Sequence, residues 1–380
     1  MKILVLIHEF PPVGGGGGRV ARDIACGLAE HGHEVRVLTA QLEGLPLIED
    51  IAGVRVERIG IRRQTAFRAS LFEMANFNLA AVLAGRRIIK TWQPDMIHAH
   101  FAVPAGAAAF VLSKLSGIPY VLTAHLGDVP GAVPEKTDRW FKWIYPLTPP
   151  IWRNAARVVA VSEFTRQMAR QHYAVPMEVI PNGVDLGALP VSLQQASGAT
   201  CPVRLVFAGR FMEQKNPADL IQALAQLKDL SWQCAMLGDG PLLESIRASV
   251  TASGLSERFW LPGWVTPDQV LSEFARSDLL VLPSRSEGLS VVGVQALGMG
   301  LAMLLSDAGG NLELVRDGEN GFLFPVGDVA ALTDRLSRLL KNPSMLQSAQ
   351  AKSREMAKKF DLPAIISQYE RIFSAHNTRL

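Results

Sequence analysis

The sequence predicts an α/β protein made of two doubly wound parallel sheets in tandem, and three observations carry that prediction. Short apolar runs rich in β-formers alternate with helical patterns, the series restarts near the middle, and 380 residues exceed the roughly 100–150 that commonly share one core. Strands that are apolar throughout and separated by helices belong in parallel sheets covered on both faces. With 48% hydrophobic and 19% charged residues, the chain has ample apolar surface to bury and too little charge to stay disordered.

The first series opens with Ile3–Ile7, a glycine loop and an amphipathic segment to Glu30, followed by strands at Glu34–Thr39, Met96–His98, Tyr120–Thr123 and Val158–Val161. The second contains Leu205–Ala208, Gln233–Leu237, Arg258–Leu261, Leu279–Leu282 and Ala302–Leu305. Its first helix is marked by Asn216 as a candidate N-cap, Pro217 at the first helical position, and the stripe Leu220, Ile221, Leu224 and Leu227. Leu186 to Pro202 mixes Gly, Ser, Pro and Gln without periodicity and reads as a linker, which gives a first domain at 1–185 and a second from 203. Ligands in open α/β sheets bind beyond the carboxyl ends of strands and pockets favour domain junctions, so the loops after these strands are where chemistry is expected.

A net charge of +3 cannot supply the dense basic field that nucleic acid requires, so an anionic ligand must be held locally. Cys26, Cys201 and Cys234 are odd in number and far apart, which suits neither a disulfide framework nor a zinc site and predicts reduced, buried thiols. Ile3–Ile7 is too short for a signal-peptide core, so a cytoplasmic location is expected. Gly288 to Leu305 runs 18 residues without a charge, but four glycines, Gln295 and Ser290 interrupt it, so a helix, a glycine turn and a buried strand are expected there.

Three loops carry candidate chemistry. The run Gly14–Gly18, with Gly15, Gly16 and Gly17 at its centre, allows main-chain N–H groups to approach an anion. Gly16 to Ala21 also fits the G-x-G-x-x-A dinucleotide pattern, yet six residues separate Ile7 from the run and no acid ends the next strand; a plain flexible turn is the other reading. In Phe207 to Asn216, Arg210 and Lys215 stand between a strand and a helix start, an arrangement that suits a diphosphate as well as ordinary solvated charge. The segment Pro283-Ser284-Arg285-Ser286-Glu287-Gly288-Leu289-Ser290 again joins a strand to a helix start.

Taken with Pro11-Pro12, Gly32 to Val35, Pro94 to His100, Val161 to Glu163, Ile180 to Asp185, Leu237 to Pro241 and Gly309 to Leu314, in this order, that segment resembles glycosyltransferase family 4 over nearly the whole chain. The resemblance implies the GT-B fold, two Rossmann-like domains facing a central cleft, retention of anomeric configuration and no required metal or other cofactor. It assigns acceptor binding to 1–185, donor binding to 203–362, and a closing helix at 363–380 packed back on the first domain.

By the same resemblance, Arg210 and Lys215 hold the donor diphosphate with main-chain N–H groups of Leu289, Ser290, Val291 and Val292, while Glu287 binds hydroxyls of the transferred sugar. The family's E-x7-E motif ends in a glutamate that grips the nucleotide ribose, and here Gln295 stands in its place. Thr123 to Asp128 is similar to the family's histidine loop, so His125 is expected to face the donor sugar and Asp128 to position the acceptor or orient a neighbouring loop. His98 and His100 lie at i, i+2 with no third ligand nearby and read as structural.

Trp140, Phe141, Trp143, Tyr145 and Trp152, set among Lys136, Arg139 and Lys142, suit a sugar or lipid-linked acceptor, a membrane contact, or a packed helix with snorkelling lysines. Arg62, Arg63, Arg68, Arg86, Arg87 and Lys90 allow weak docking on anionic lipid at the inner face of the membrane. The expected partners are thus a UDP- or GDP-sugar and a glycan or lipid-linked acceptor. A nucleotide-sugar epimerase, a sugar-phosphate synthase or a catalytically silent sugar-nucleotide binder are the other functions compatible with these residues.

Overall fold

Apolar runs of four to six residues become the central strands of two sheets. In the computed structural model, which describes residues 1–63, 70–133, 143–192 and 202–376, the first sheet contains β1 (Lys2–Leu6), β2 (Glu34–Leu42), β3 (Ile48–Ile51), β4 (Val54–Arg63), β5 (Met96–His100), β6 (Tyr120–Ala124), β7 (Arg157–Ala160) and β8 (Met177–Val179). Their order is β3-β4-β2-β1-β5-β6-β7-β8, and every pairing is parallel except β3 with β4. The helices are α1 (Gly16–Glu30), α2 (Leu71–Trp92), α3 (Ala107–Ser116), the short α4 (Pro149–Arg153) and α5 (Glu163–Arg170).

The second sheet is parallel throughout, with β9 (Val203–Ala208), β10 (Trp232–Leu237), β11 (Phe259–Gly263), β12 (Leu279–Leu282), β13 (Ala302–Ser306) and β14 (Gly321–Phe324) in the order β11-β10-β9-β12-β13-β14. Covering it are α6 (Pro217–Ala225), α7 (Leu243–Ala252), α8 (Pro267–Arg276), α9 (Val291–Met299), α10 (Val329–Lys341) and α11 (Pro343–Ala357). Both architectures are Rossmann-like, as the alternation of apolar strands and helices requires.

The chain divides into Met1–Gly183 with Leu362–Leu380, and Val184–Asp361. The last helix, α12 (Leu362–Ala375), therefore belongs to the first unit, where Tyr369 and Phe373 pack their rings against His98. The crossing falls between Gly183 and Val184, earlier than the linker expected at 186–202. Leu186 and Leu189 are already packed on the second core, whose apolar contacts outweigh the local Gly/Ser/Pro composition. Residues 193–201 of that segment, Cys201 among them, lie outside the described residues.

Two further expectations change. Asn216 stands at the N-cap of α6, but it adopts left-handed φ and ψ of 47° and 50°, and its Nδ2 donates to Asp219 Oδ2 at 2.5 Å rather than its oxygen capping an amide. Arg63 is buried, with Nη1 donating to the carbonyl of His8 at 3.2 Å, so it is no part of a lipid-facing surface. The uncharged stretch at Gly288–Leu305 resolves into α9, Gly300 at φ +76°, and β13. No helix among the described residues is long and apolar enough to cross a membrane.

Candidate active site

In the second unit the loops after β9 and β12 bring Lys215 and Glu287 together, although 72 residues separate them in sequence. Lys215 Nζ lies 2.5 Å from Glu287 Oε1, and the hydroxyl of Ser284 donates to the same oxygen at 2.7 Å. The loops also clasp through the main chain: the Arg285 amide donates to the Gln214 carbonyl at 2.7 Å, and Gln214 Nε2 donates to the Ser286 carbonyl at 3.1 Å. Glu287 is buried and Lys215 half-buried, so their attraction operates with less water around it than a surface pair and holds the two loops in register.

Arg210 is half-buried on the loop after β9. That loop is pressed against the turn after β10 without intervening side chains. The Phe211 amide donates to the Asp239 carbonyl at 3.0 Å, and a Cβ at Gly238 or Gly240 would collide with the carbonyl oxygens of Gly209 and Phe211. Only glycine permits this approach.

Leu289 and Ser290 are buried at the start of α9, and Ser290 is its N-cap, with Oγ accepting from the Gly293 amide at 3.2 Å. Val291 and Val292 occupy the first turn, where main-chain N–H groups lack intrahelical acceptors and the helix dipole favours an anion. Gln295 is half-buried on the following turn of the same helix.

In the first unit, the ends of β1, β5 and β6 assemble a different kind of cluster. His125 is 8% exposed and stacks on Phe101, with ring centroids 4.3 Å apart and planes 28° apart. Its Nε2 lies 3.4 Å from Nδ1 of the fully buried His100. Phe101 holds φ at +70°, unusual for a side chain with a Cβ, while its amide donates to the Thr123 carbonyl at 3.1 Å.

Burial pushes His125 down to about 4, partly offset by the carboxylate of Glu9, so the imidazole is neutral near pH 7. Burial likewise lowers His98 to about 3 and holds His100 well below the ordinary histidine value. His98 is a core residue whose Nε2 bonds Thr123 Oγ1 at 2.8 Å.

Of the two roles expected for Asp128, the geometry supplies loop orientation. Its Oδ1 accepts from the Ala102 amide at 2.8 Å and its Oδ2 from the His125 amide at 2.9 Å, so both oxygens are engaged by main chain. Burial raises it to about 7 against the opposing pull of those N–H donors.

Gly15 is the N-cap of α1 and its amide donates to Glu9 Oε2 at 3.4 Å; Gly16 and Gly17 form the first turn. A Cβ on Gly17 would lie 2.5 Å from Phe101 Cζ, so this glycine serves the packing beside His125. Trp140 lies outside the described residues, with Phe141, Lys136, Arg139 and Lys142. Trp152 is buried and stacked on Tyr173 at 4.1 Å, whereas Trp143 is 84% exposed.

Ser284 and Phe101 are the contributors that sequence reading missed. Ser284 stood inside a quoted motif at i−3 from Glu287, a spacing that already permits a loop hydrogen bond. Nothing local marks Phe101. Among the described residues no group of three or more His, Cys, Asp or Glu is placed to hold a metal ion.

Two Rossmann-like sheets with these strand-end loops define a GT-B glycosyltransferase. The Glycosyltransferase Family 4 model matches residues 14–188 and the Glycosyl transferases group 1 model residues 195–359. Similar proteins include 2-deoxystreptamine N-acetyl-D-glucosaminyltransferase of Streptomyces fradiae, 30% identical over 86% of this chain and 82% of that one, and N-acetyl-alpha-D-glucosaminyl L-malate synthase of Bacillus anthracis, 25% identical over 98% and 97%. The fold is shared with sucrose-phosphate synthase from Thermosynechococcus elongatus (TM-score 0.85, 21% identity, 98% and 99% covered) and with Anabaena HepE in complex with UDP and glucose (TM-score 0.77, 23% identity, 99% and 100% covered). The chain belongs to glycosyltransferase family 4.

Proposed function

We propose that this glycosyltransferase transfers a sugar with retention from a UDP- or GDP-sugar to a hydroxyl of a glycan or lipid-linked acceptor, in the synthesis of cell-surface polysaccharide or glycolipid. The observation that carries the reading is the junction of Lys215, Glu287 and Ser284 beside the start of α9. A cation, a carboxylate and a helix N-terminus so arranged suit a ligand with both a diphosphate and hydroxyls. The UDP and glucose named for HepE support a nucleotide-sugar donor.

In this mechanism Arg210, Lys215 and the amides of Leu289 to Val292 bind the diphosphate, Glu287 accepts from sugar hydroxyls, and Gln295 meets the ribose. The bond from the anomeric carbon to the leaving phosphate oxygen breaks as the acceptor oxygen bonds the same carbon from the same face. The acceptor's proton passes to the leaving phosphate. Negative charge grows on that phosphate, so Arg210, Lys215 and the helix dipole stabilise the transition state more than the ground state and supply charge that a divalent metal would otherwise provide. Neutral His125 contributes a hydrogen bond to the donor sugar rather than a positive charge.

An acceptor at a membrane surface is supported by α2. Its exposed face carries Phe72, Leu79 and Leu83, which are 71%, 61% and 61% exposed, followed on the same face by Arg86 and Lys90. Apolar residues in line with cations suit an anionic lipid interface.

Turnover of a panel of UDP-, GDP- and ADP-sugars with glycan and lipid-linked acceptors, with and without excess EDTA, tests the proposal. Transfer with retained configuration in EDTA is expected. Binding without transfer to a competent acceptor would make the chain a silent binder, turnover with no such acceptor would favour an epimerase or sugar-phosphate synthase, and activity lost in EDTA but restored by manganese would overturn the metal-free mechanism.

A further inference from the structure

We infer that Ser284 is a positioning residue that commits one oxygen of Glu287 to the protein and reserves the other for the transferred sugar. Glu287 Oε1 receives both the Ser284 hydroxyl at 2.7 Å and the Lys215 ammonium at 2.5 Å, and the described residues give Oε2 no partner. A carboxylate has about four lone-pair sites, so concentrating two donors on one oxygen leaves the second open to a ligand's hydroxyls.

The donor that achieves this is itself fixed. Ser284 is fully buried, and its carbonyl accepts from the hydroxyl of Ser306, at the end of β13, at 2.5 Å. Asn311 Nδ2 in turn donates to the Ser306 carbonyl at 3.1 Å. Ser306 and Asn311 are also fully buried, so this line of polar groups reaches the site from the interior of the second unit. The main chain of Glu287 is held separately, its carbonyl accepting from the Gly310 amide at 3.0 Å. Ordering a glutamate side chain costs rotamer freedom, and a carboxylate already aimed by Ser284 spares a ligand part of that cost.

This rests on the reading that Glu287 meets the donor sugar, and the test separates the two. Affinities of the full chain for a turned-over nucleotide sugar and for its nucleoside diphosphate are measured by calorimetry for the wild type, Ser284→Ala and Ser284→Cys. The alanine removes the donor at nearly the same volume, and the cysteine keeps a hydrogen on a larger, weaker donor. Both variants are expected to bind the nucleotide sugar about five- to tenfold more weakly with diphosphate affinity unchanged, and to show a lowered thermal midpoint because the buried Glu287 carboxylate gives up a donor. Equal weakening of both ligands, or of neither, overturns the role of Ser284. A Glu287→Gln variant that discriminates the two ligands as the wild type does overturns the underlying assignment of Glu287 instead.

Discussion

The two strand-end regions solve opposite electrostatic problems. In the first unit His98, His100 and His125 are buried among rings, held neutral by the loss of water, and braced by main-chain amides gathered on Asp128. In the second, Lys215 and Glu287 form an ion pair across two loops, the lysine half-buried and the carboxylate buried. A neutral, ring-packed surface can offer hydrogen bonds but no charge, whereas a cation beside a helix start can answer growing negative charge. The contrast teaches that polar residues at equivalent ends of similar sheets are not equivalent in chemistry, and that the partners gathered around each group decide which task it can take.

The sharpest break in this contrast is Lys215→Ala. Removing the cation leaves the buried Glu287 carboxylate beside the intended diphosphate without its partner, so kcat/KM is expected to fall about 100- to 1000-fold, with kcat reduced as well as KM raised. Steady-state kinetics on varied donor would show it, and an unchanged kcat would mean the lysine does not answer charge formed during transfer.

The next effect belongs to the first unit. Asp128→Ala strips the acceptor from the amides of His125 and Ala102, and should lower stability by about 2–4 kcal/mol in urea unfolding. Acidification tests the same region more gently. The three histidines have native values below their unfolded ones, so their contribution is complete above about pH 6.5 and is lost as pH falls toward 4. Asp128 is raised, so its contribution runs the other way and is lost as pH rises through about 7. Three groups against one predict a lower thermal midpoint at pH 5 than at pH 7, with each uncompensated histidine giving at most about 1.4 kcal/mol per pH unit. A midpoint that rises on acidification would show that these imidazoles are not held neutral.

The smallest effect sharpens the picture of the second unit. If Gln295 meets the ribose, Gln295→Glu exchanges a neutral hydrogen bond for a charged one and should tighten donor binding by about 1 kcal/mol, roughly fivefold, measured by calorimetry.

Much of this was readable from residue order. Apolar strands and helical stripes identified the sheets, and the quoted motifs located Arg210, Lys215, Glu287 and His125 on strand-end loops. What escaped was non-local or mixed in pattern. β4 alternates arginines with apolar residues, and β3 and β8 are short with charged members. β14 is the four-residue Gly-Phe-Leu-Phe, too brief to show a period. The meeting of Lys215 with Glu287 depends on β9 and β12 being neighbours, which chain order does not announce. Asp128 could be read as a ligand for the acceptor or as a brace, because a carboxylate three residues after a histidine looks the same in sequence whether its oxygens meet substrate or amides.

The seam between the loop carrying Arg210 and the turn after β10 has a consequence for how such a protein can change. Where backbone rests directly on backbone at Gly238 and Gly240, there is no side chain to lengthen, shorten or recharge by degrees. Mutation at those positions displaces the arginine's support outright, so gradual adaptation to a new ligand has to proceed through neighbouring surfaces while this part of the frame is inherited whole.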